Sequence, residues 1–232
     1  MMRRELMSGG RAIVGRATVS VPGTCGELVQ GMVDHTYFHI TCPVDLYSTV
    51  SLELYDGPGS VSGPADCPKA VEAVRRTLAH LSQDALDVRF KARSPLPRGK
   101  GMASSTADVV AAAEATASAL KQGLSAETIA AIALAVEPSD GTMFPGIAAF
   151  DHRQGRLAQV LGPPPPIDIL VLDFGGAVDT LEFNSVDRRP ILMRTEPDIR
   201  QALEMARQGI HRGDPALVGQ IPLEGMDLVV DP

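Results

Sequence analysis

The chain is expected to fold as an α+β protein with its strand-rich half first, and three observations point there. Short runs of Val, Ile, Thr and Tyr recur at Arg16–Val21, Tyr37–Thr41 and Ser48–Tyr55. Helical spacing of apolar residues begins only after Pro68. A glycine-punctuated loop then leads from a strand pattern at Asp87–Ala92 into an Ala-rich helix from Ser104 to Leu120.

Taken in order, residues 1–15 carry Ser-Gly-Gly and mixed charge and read as a loose lead-in. Pro22-Gly23-Thr24-Cys25-Gly26 is expected to break the first strand sharply, and Asp56-Gly57-Pro58-Gly59-Ser60 is a turn signal. Pro68 suits a helix first turn, and Val71, Val74, Leu78 and Leu81 mark one face of the helix over 70–81. Val88 and Phe90 alternate with Arg89 and Lys91, as in a half-buried strand. Ser125 is placed to cap a helix over 125–136. Gly162 and the prolines 163–166 form a stiff connector, which divides the chain into an N-terminal domain over 16–162 and a C-terminal one over 163–232. Ile167–Phe174 reads as a buried strand, Ala177–Phe183 as another, and Pro197–Gln208 as a helix with Ile199, Leu203 and Ala206 on its apolar side.

Composition narrows the function. The 232 residues are 44% hydrophobic and 21% charged, ordinary for a soluble globular protein, and the net charge of −7 argues against nucleic-acid binding. Apolar runs fall short of the ~20 residues that span a bilayer, so no membrane association is expected. Cys25, Cys42 and Cys67 lack metal-ligand spacing and read as reduced thiols of a cytoplasmic protein.

The loop ahead of the Ala-rich helix is the strongest chemical signal. The first-turn amides of a helix lack intrahelical partners, and its dipole favours an anion there. Gly99 and Gly101 let backbone approach phosphate oxygens, Lys100 adds a charge, and Ser104 and Ser105 offer hydroxyls. Neither G-x-x-x-x-G-K-[ST] nor G-x-G-x-x-G is present in this loop. The run Pro97-Arg98-Gly99-Lys100-Gly101-Met102-Ala103-Ser104-Ser105-Thr106 instead resembles the second motif of the GHMP kinase superfamily, P-x-x-x-G-[LM]-[GA]-S-S-[AST]. Val21-Pro22-Gly23-Thr24-Cys25-Gly26-Glu27-Leu28-Val29-Gln30-Gly31 is similar to the first motif of that superfamily. Its wording, with Asp173–Thr180 and Phe183-Asn184, looks most like the branch of L-threonine kinases of cobalamin side-chain synthesis.

The resemblance implies a two-domain GHMP kinase fold. ATP would lie on Pro97–Ser105, and Mg²⁺ would be held by Ser105 and Glu137. It also implies Asp140 as the base, with Lys100 beside the phosphates, and transfer to the hydroxyl of L-threonine. Thr24, Glu27 and Asp45 are candidates to face the acceptor, since an ammonium group needs a carboxylate. Another small alcohol such as homoserine, or a non-catalytic nucleotide-binding relative, are the alternatives. His35 and His39, flanking Tyr37, are set aside as a metal pair for want of a third ligand. The third glycine-rich motif of the superfamily is not found after Gln208, so the C-terminal domain is expected to be truncated and the apolar stretch 221–232 foreign to it.

Overall fold

The computed structural model describes residues 11–173, 175–176 and 187–221. Two long strands, β1 (Ile13–Val33) and β2 (Thr36–Asp56), form one hairpin that runs the length of the molecule. After β3 (Val61–Ser62) come α1 (Pro68–His80), β4 (Leu86–Arg93), α2 (Ser104–Ala119) and α3 (Ala126–Leu134). The short strands β5 (Ile147–Phe150) and β6 (Ala158–Gly162) follow, then α4 (Arg189–Arg194), α5 (Glu196–Arg212) and α6 (Pro215–Val218). The α+β class is the one expected.

β2 organises the sheet. One of its edges pairs with β1 throughout, while the other is shared. Residues Thr49–Asp56 pair with β4, and His39–Thr41 pair with β5. Between these two partners, around Pro43–Ser48, neither β4 nor β5 pairs with β2, and β1 opposite carries register shifts between Pro22 and Val29. The break expected at Pro22–Gly26 is therefore a set of bulges within one strand. Cross-strand pairing on both sides of the bulged stretch holds the chain extended, and Gly26 supplies the positive φ of 56° that the irregularity needs. The hairpin turn is Asp34-His35, both at positive φ (49° and 60°), the signature of a two-residue loop whose twist matches its strands. His35 thus sits in the turn and not in a strand beside His39.

Alternation places Val21, Val50, Leu52, Leu54, Val88 and Phe90 on the inner face and Arg16, Thr18, Ser51, Glu53, Arg89 and Lys91 on the outer one. α1, α2 and α3 cover the inner face and close a first core. α2 is buried almost all round, from Ala107 through Ala113, as an Ala-rich helix enclosed by neighbours must be. A second core lies where α5 crosses the turn end of the hairpin. Ile199, Ala202, Leu203, Ala206 and Ile210, at helical spacing, pack with Val29, Met32, Phe38, Ile40 and Cys42. Gly31 is the contact point: a Cβ there would meet Ile199 Cδ1 at 2.8 Å.

Two expectations fail or fall outside. Ile167–Asp173 carries no strand, and Asp168–Asp173 is exposed, with Leu170 at 84%. Apolar composition alone does not make a strand without a neighbour to supply hydrogen bonds. Phe174, the stretch 177–186 and residues 222–232 lie outside the described residues. Among the described residues, no helix is long and apolar enough to cross a membrane.

Candidate active site

The loop from Pro97 to Ala103 enters α2 through three residues at positive φ: Gly99 (68°), Gly101 (68°) and Ala103 (52°). This left-handed path ends in an N-terminus with no side-chain cap, so the first-turn amides keep their capacity for an anion. The bulged part of β1 braces the loop from below. The Thr24 amide donates to the Met102 carbonyl at 3.2 Å. Gly23 is required by this closeness, because a Cβ would stand 2.7 Å from Met102 O and 2.4 Å from Leu96 Cδ2. Met102 and the Thr24 side chain are buried there, whereas Pro97 and Gly101 are exposed.

The cations of the loop have partners. Lys100 Nζ meets Asp173 Oδ1 at 2.7 Å, and that bond, with the Gly175 amide, holds the Asp173 carboxyl below its ordinary range. Arg98 Nη2 lies 3.2 Å from Cys67 Sγ, 3.3 Å from Asp66 Oδ2 and 3.4 Å from Asp108 Oδ2. Ser48 donates to the other Asp108 oxygen at 2.5 Å. Asp66, Cys67, Arg98 and Asp108, with Leu96 and Ser104, line a cavity of about 380 Å³ beside the loop. A wider depression of about 840 Å³ lies on the outer sheet face among Arg16, Thr18, Ser51, Glu53, Arg89 and Lys91, away from the loop. The smaller cavity is the one adjoining the phosphate-type chemistry.

Ser105, in the first turn of α2, donates its hydroxyl to Glu137 Oε1. Glu137 is buried just beyond α3, and its Oε2 meets Lys69 Nζ at 2.5 Å. A carboxylate and a hydroxyl side by side form a hard-oxygen donor pair that fits Mg²⁺, which takes one or two protein oxygens and fills the rest with phosphate and water. Lys69, second residue of α1, was not singled out in the sequence. A lone lysine after a helix-starting proline carries no spacing signal.

Near the bulges a second polar group assembles. Glu27 from β1, His39 from β2 and Asp140 from the loop after α3 converge, with His39 Nδ1 3.5 Å from Asp140 Oδ1 and 3.7 Å from Glu27 Oε1. The His39 ring stacks on His152 at 3.7 Å and 12°. The Asp140 amide donates to Thr106 Oγ1 at 3.4 Å, tying this group to α2. Burial pushes the Glu27 carboxyl up; His39 opposes that and Asp140 adds to it. Sequence order hid His39, because its partners come from hairpin register and from a loop 101 residues away. Asp45, by contrast, is exposed and makes no ion pair among the described residues. Asp140 and Glu27 are thus brought together, Ser105 and Glu137 are brought together, and Asp45 joins neither pair.

A phosphate-type loop, an oxygen donor pair and a carboxylate cluster on one α+β frame define a phosphoryl-transfer enzyme class. Comparison with known proteins agrees. The GHMP kinases N terminal domain matches residues 67–148. The L-threonine kinase of Salmonella typhimurium is 34% identical over 207 residues, 88% of this chain and 67% of that protein. The L-threonine kinase of Citrobacter freundii is 32% identical over 210 residues, covering 88% and 70% respectively. Among solved structures, the mevalonate diphosphate decarboxylase of Staphylococcus aureus superposes with a TM-score of 0.68 at 14% identity, over 93% of this chain and 73% of that one. The homoserine kinase of Cytophaga hutchinsonii gives 0.65 at 14% identity, over 93% and 75%. These two likenesses are of fold. The chain belongs to the GHMP kinases, a family of ATP-dependent small-molecule kinases.

Proposed function

We propose that the chain transfers the γ-phosphoryl group of ATP to the hydroxyl of L-threonine, giving O-phospho-L-threonine for cobalamin side-chain synthesis. The observation that carries this reading is that both polar groups are bonded to the first turn of α2: Ser105 donates to Glu137, and Thr106 accepts from the amide of Asp140, whose side chain stands with Glu27 and His39. The names of the two curated relatives support the acceptor.

The loop amides and Lys100 cradle the phosphates, and the cavity bounded by Asp66, Arg98 and Asp108 takes the nucleoside end. Mg²⁺ held by Ser105 and Glu137 neutralises phosphate charge when bound. Asp140 receives the proton of the acceptor hydroxyl, and Glu27 faces the amino group of the substrate. Most of the rate then comes from positioning and charge, as phosphoryl transfer requires. Thr24 acts through its backbone bond to the loop; the exposed Asp45 is assigned to the acceptor's rim.

The test is ADP release from the purified chain with ATP and Mg²⁺. Release should depend on L-threonine, and Asp140→Ala should abolish it. Equal turnover with homoserine would remove threonine as the acceptor, and ATP binding with no turnover on any small alcohol would leave a nucleotide-binding protein.

A further inference from the structure

We propose that Glu27, His39 and Asp140 form a binding site for a transition-metal dication of the zinc, cobalt or manganese class, distinct from the Ser105–Glu137 pair. The three side chains come from β1, β2 and the loop after α3, and one ligand atom of each lies within 4.8 Å of the other two. Nitrogen and oxygen ligands sit about 2.0–2.2 Å from such a cation. Two ligands at that radius are therefore separated by about 3–4 Å. The His39 Nδ1 separations of 3.5 Å and 3.7 Å from Asp140 and Glu27 are such edges. The Glu27 contact is longer than a hydrogen bond, and the Asp140 contact lies at the limit of one.

Charge points the same way. Two carboxylates face one imidazole in a half-buried setting, where like charges repel and burying charge is costly. A dication relieves both the repulsion and the cost of burial.

The imidazole is also held in place. His39 stacks on His152, to whose Nε2 Arg153 Nε donates at 3.2 Å, and the Arg153 guanidinium sits 4.0 Å over the Tyr37 ring. Outer partners of this kind orient a ligating ring and sustain affinity. One imidazole with two carboxylates suits zinc, cobalt or manganese, whereas magnesium favours oxygen alone. The partial exposure of all three side chains leaves coordination positions for water. A cation seated there would compete with the acceptor for Asp140 and Glu27, a consequence that rests on the kinase reading above.

Co²⁺ titration of the full chain, without nucleotide or threonine, tests the site through the visible absorption of the bound ion. One Co²⁺ per chain is expected. His39→Gln and Asp140→Asn should each weaken it by about 100-fold or more, since even outer partners are worth 10–100-fold. Glu137→Gln should leave it unchanged, and thermal melts establish that each variant is folded. Absence of Co²⁺ binding to the parent chain, or binding that survives His39→Gln and Asp140→Asn but is lost in Glu137→Gln, overturns the proposal. Because ATP and acceptor are absent, failure here and failure of the threonine kinase assay are read separately.

Discussion

The amide of Thr24 donates to the carbonyl of Met102, which fastens the bulged middle of β1 to the loop ahead of α2. The absent side chain of Gly23 makes that approach possible. Gly23→Val should push the loop off β1, because the new carbon meets backbone as well as the Leu96 side chain. The expected loss is about 1–3 kcal/mol of stability, as for other overpacked sites. Urea unfolding together with the KM for ATP checks this, and an unchanged KM would show that the brace does not shape the loop.

Glu137 has one oxygen bonded by Ser105 and the other by Lys69. Glu137→Gln should lower kcat by roughly 100- to 1000-fold, the cost of removing one well-placed charge-stabilising contact. It should also move the Mg²⁺ dependence of turnover to higher concentration. Steady-state assays over a Mg²⁺ series read both effects, and retention of parental Mg²⁺ dependence would assign the ion elsewhere.

Lys100 is bonded to Asp173, an exposed carboxylate. Lys100→Met should raise the KM for ATP by about tenfold, the worth of one charged hydrogen bond. Asp173→Asn frees the ammonium and should leave that KM equal or lower. A rise in KM from Asp173→Asn would mean that the pair itself, not the free lysine, serves the nucleotide.

The Glu27 carboxyl lies above its ordinary value of 4.5, through burial first and Asp140 to a lesser degree. The folded chain therefore binds this proton more tightly than the unfolded one. The stability linked to it is complete below the ordinary value and is lost as pH rises through the folded one. Glu27→Gln should thus melt higher than the parent at about pH 8 and close to it at about pH 4. Melting curves across that range decide the matter, and a gap that widens toward acid would reverse the sign.

Much of the frame was legible in the chain, and the reasons differ by element. α1, α2 and β4 declared themselves because each has a local period and a local start signal: Pro68, the loop glycines, and Val88 alternating with Arg89. The continuity of β1 and β2 did not, because Pro22, Gly26 and Pro43 are turn-formers whose preference is overridden by pairing along the rest of the hairpin. β5, only four residues long with two alanines, exists because β2 offers it an edge. For the site, the loop was readable from motif wording, and Glu137 was expected only through the family resemblance that wording carries. His39 and Lys69 were not, since their meaning lies in who stands opposite. Ile167–Val171 shows the converse, a strand-like wording with no pairing strand among the described residues.

The second core has a consequence for the order in which the protein is made. Every member of the first core lies at or before Phe150, so that body can close while the ribosome is still translating the rest. The turn end of the hairpin cannot finish then, because the cover for Phe38 and Ile40 is Ile199 to Ile210, more than 150 residues later in synthesis. Closing so long a loop is slow, and until it closes an apolar face around Gly31 stays wet. A chain halted before α5 thus leaves that face open to water, and the docking of Ile199 on Gly31 is what covers it.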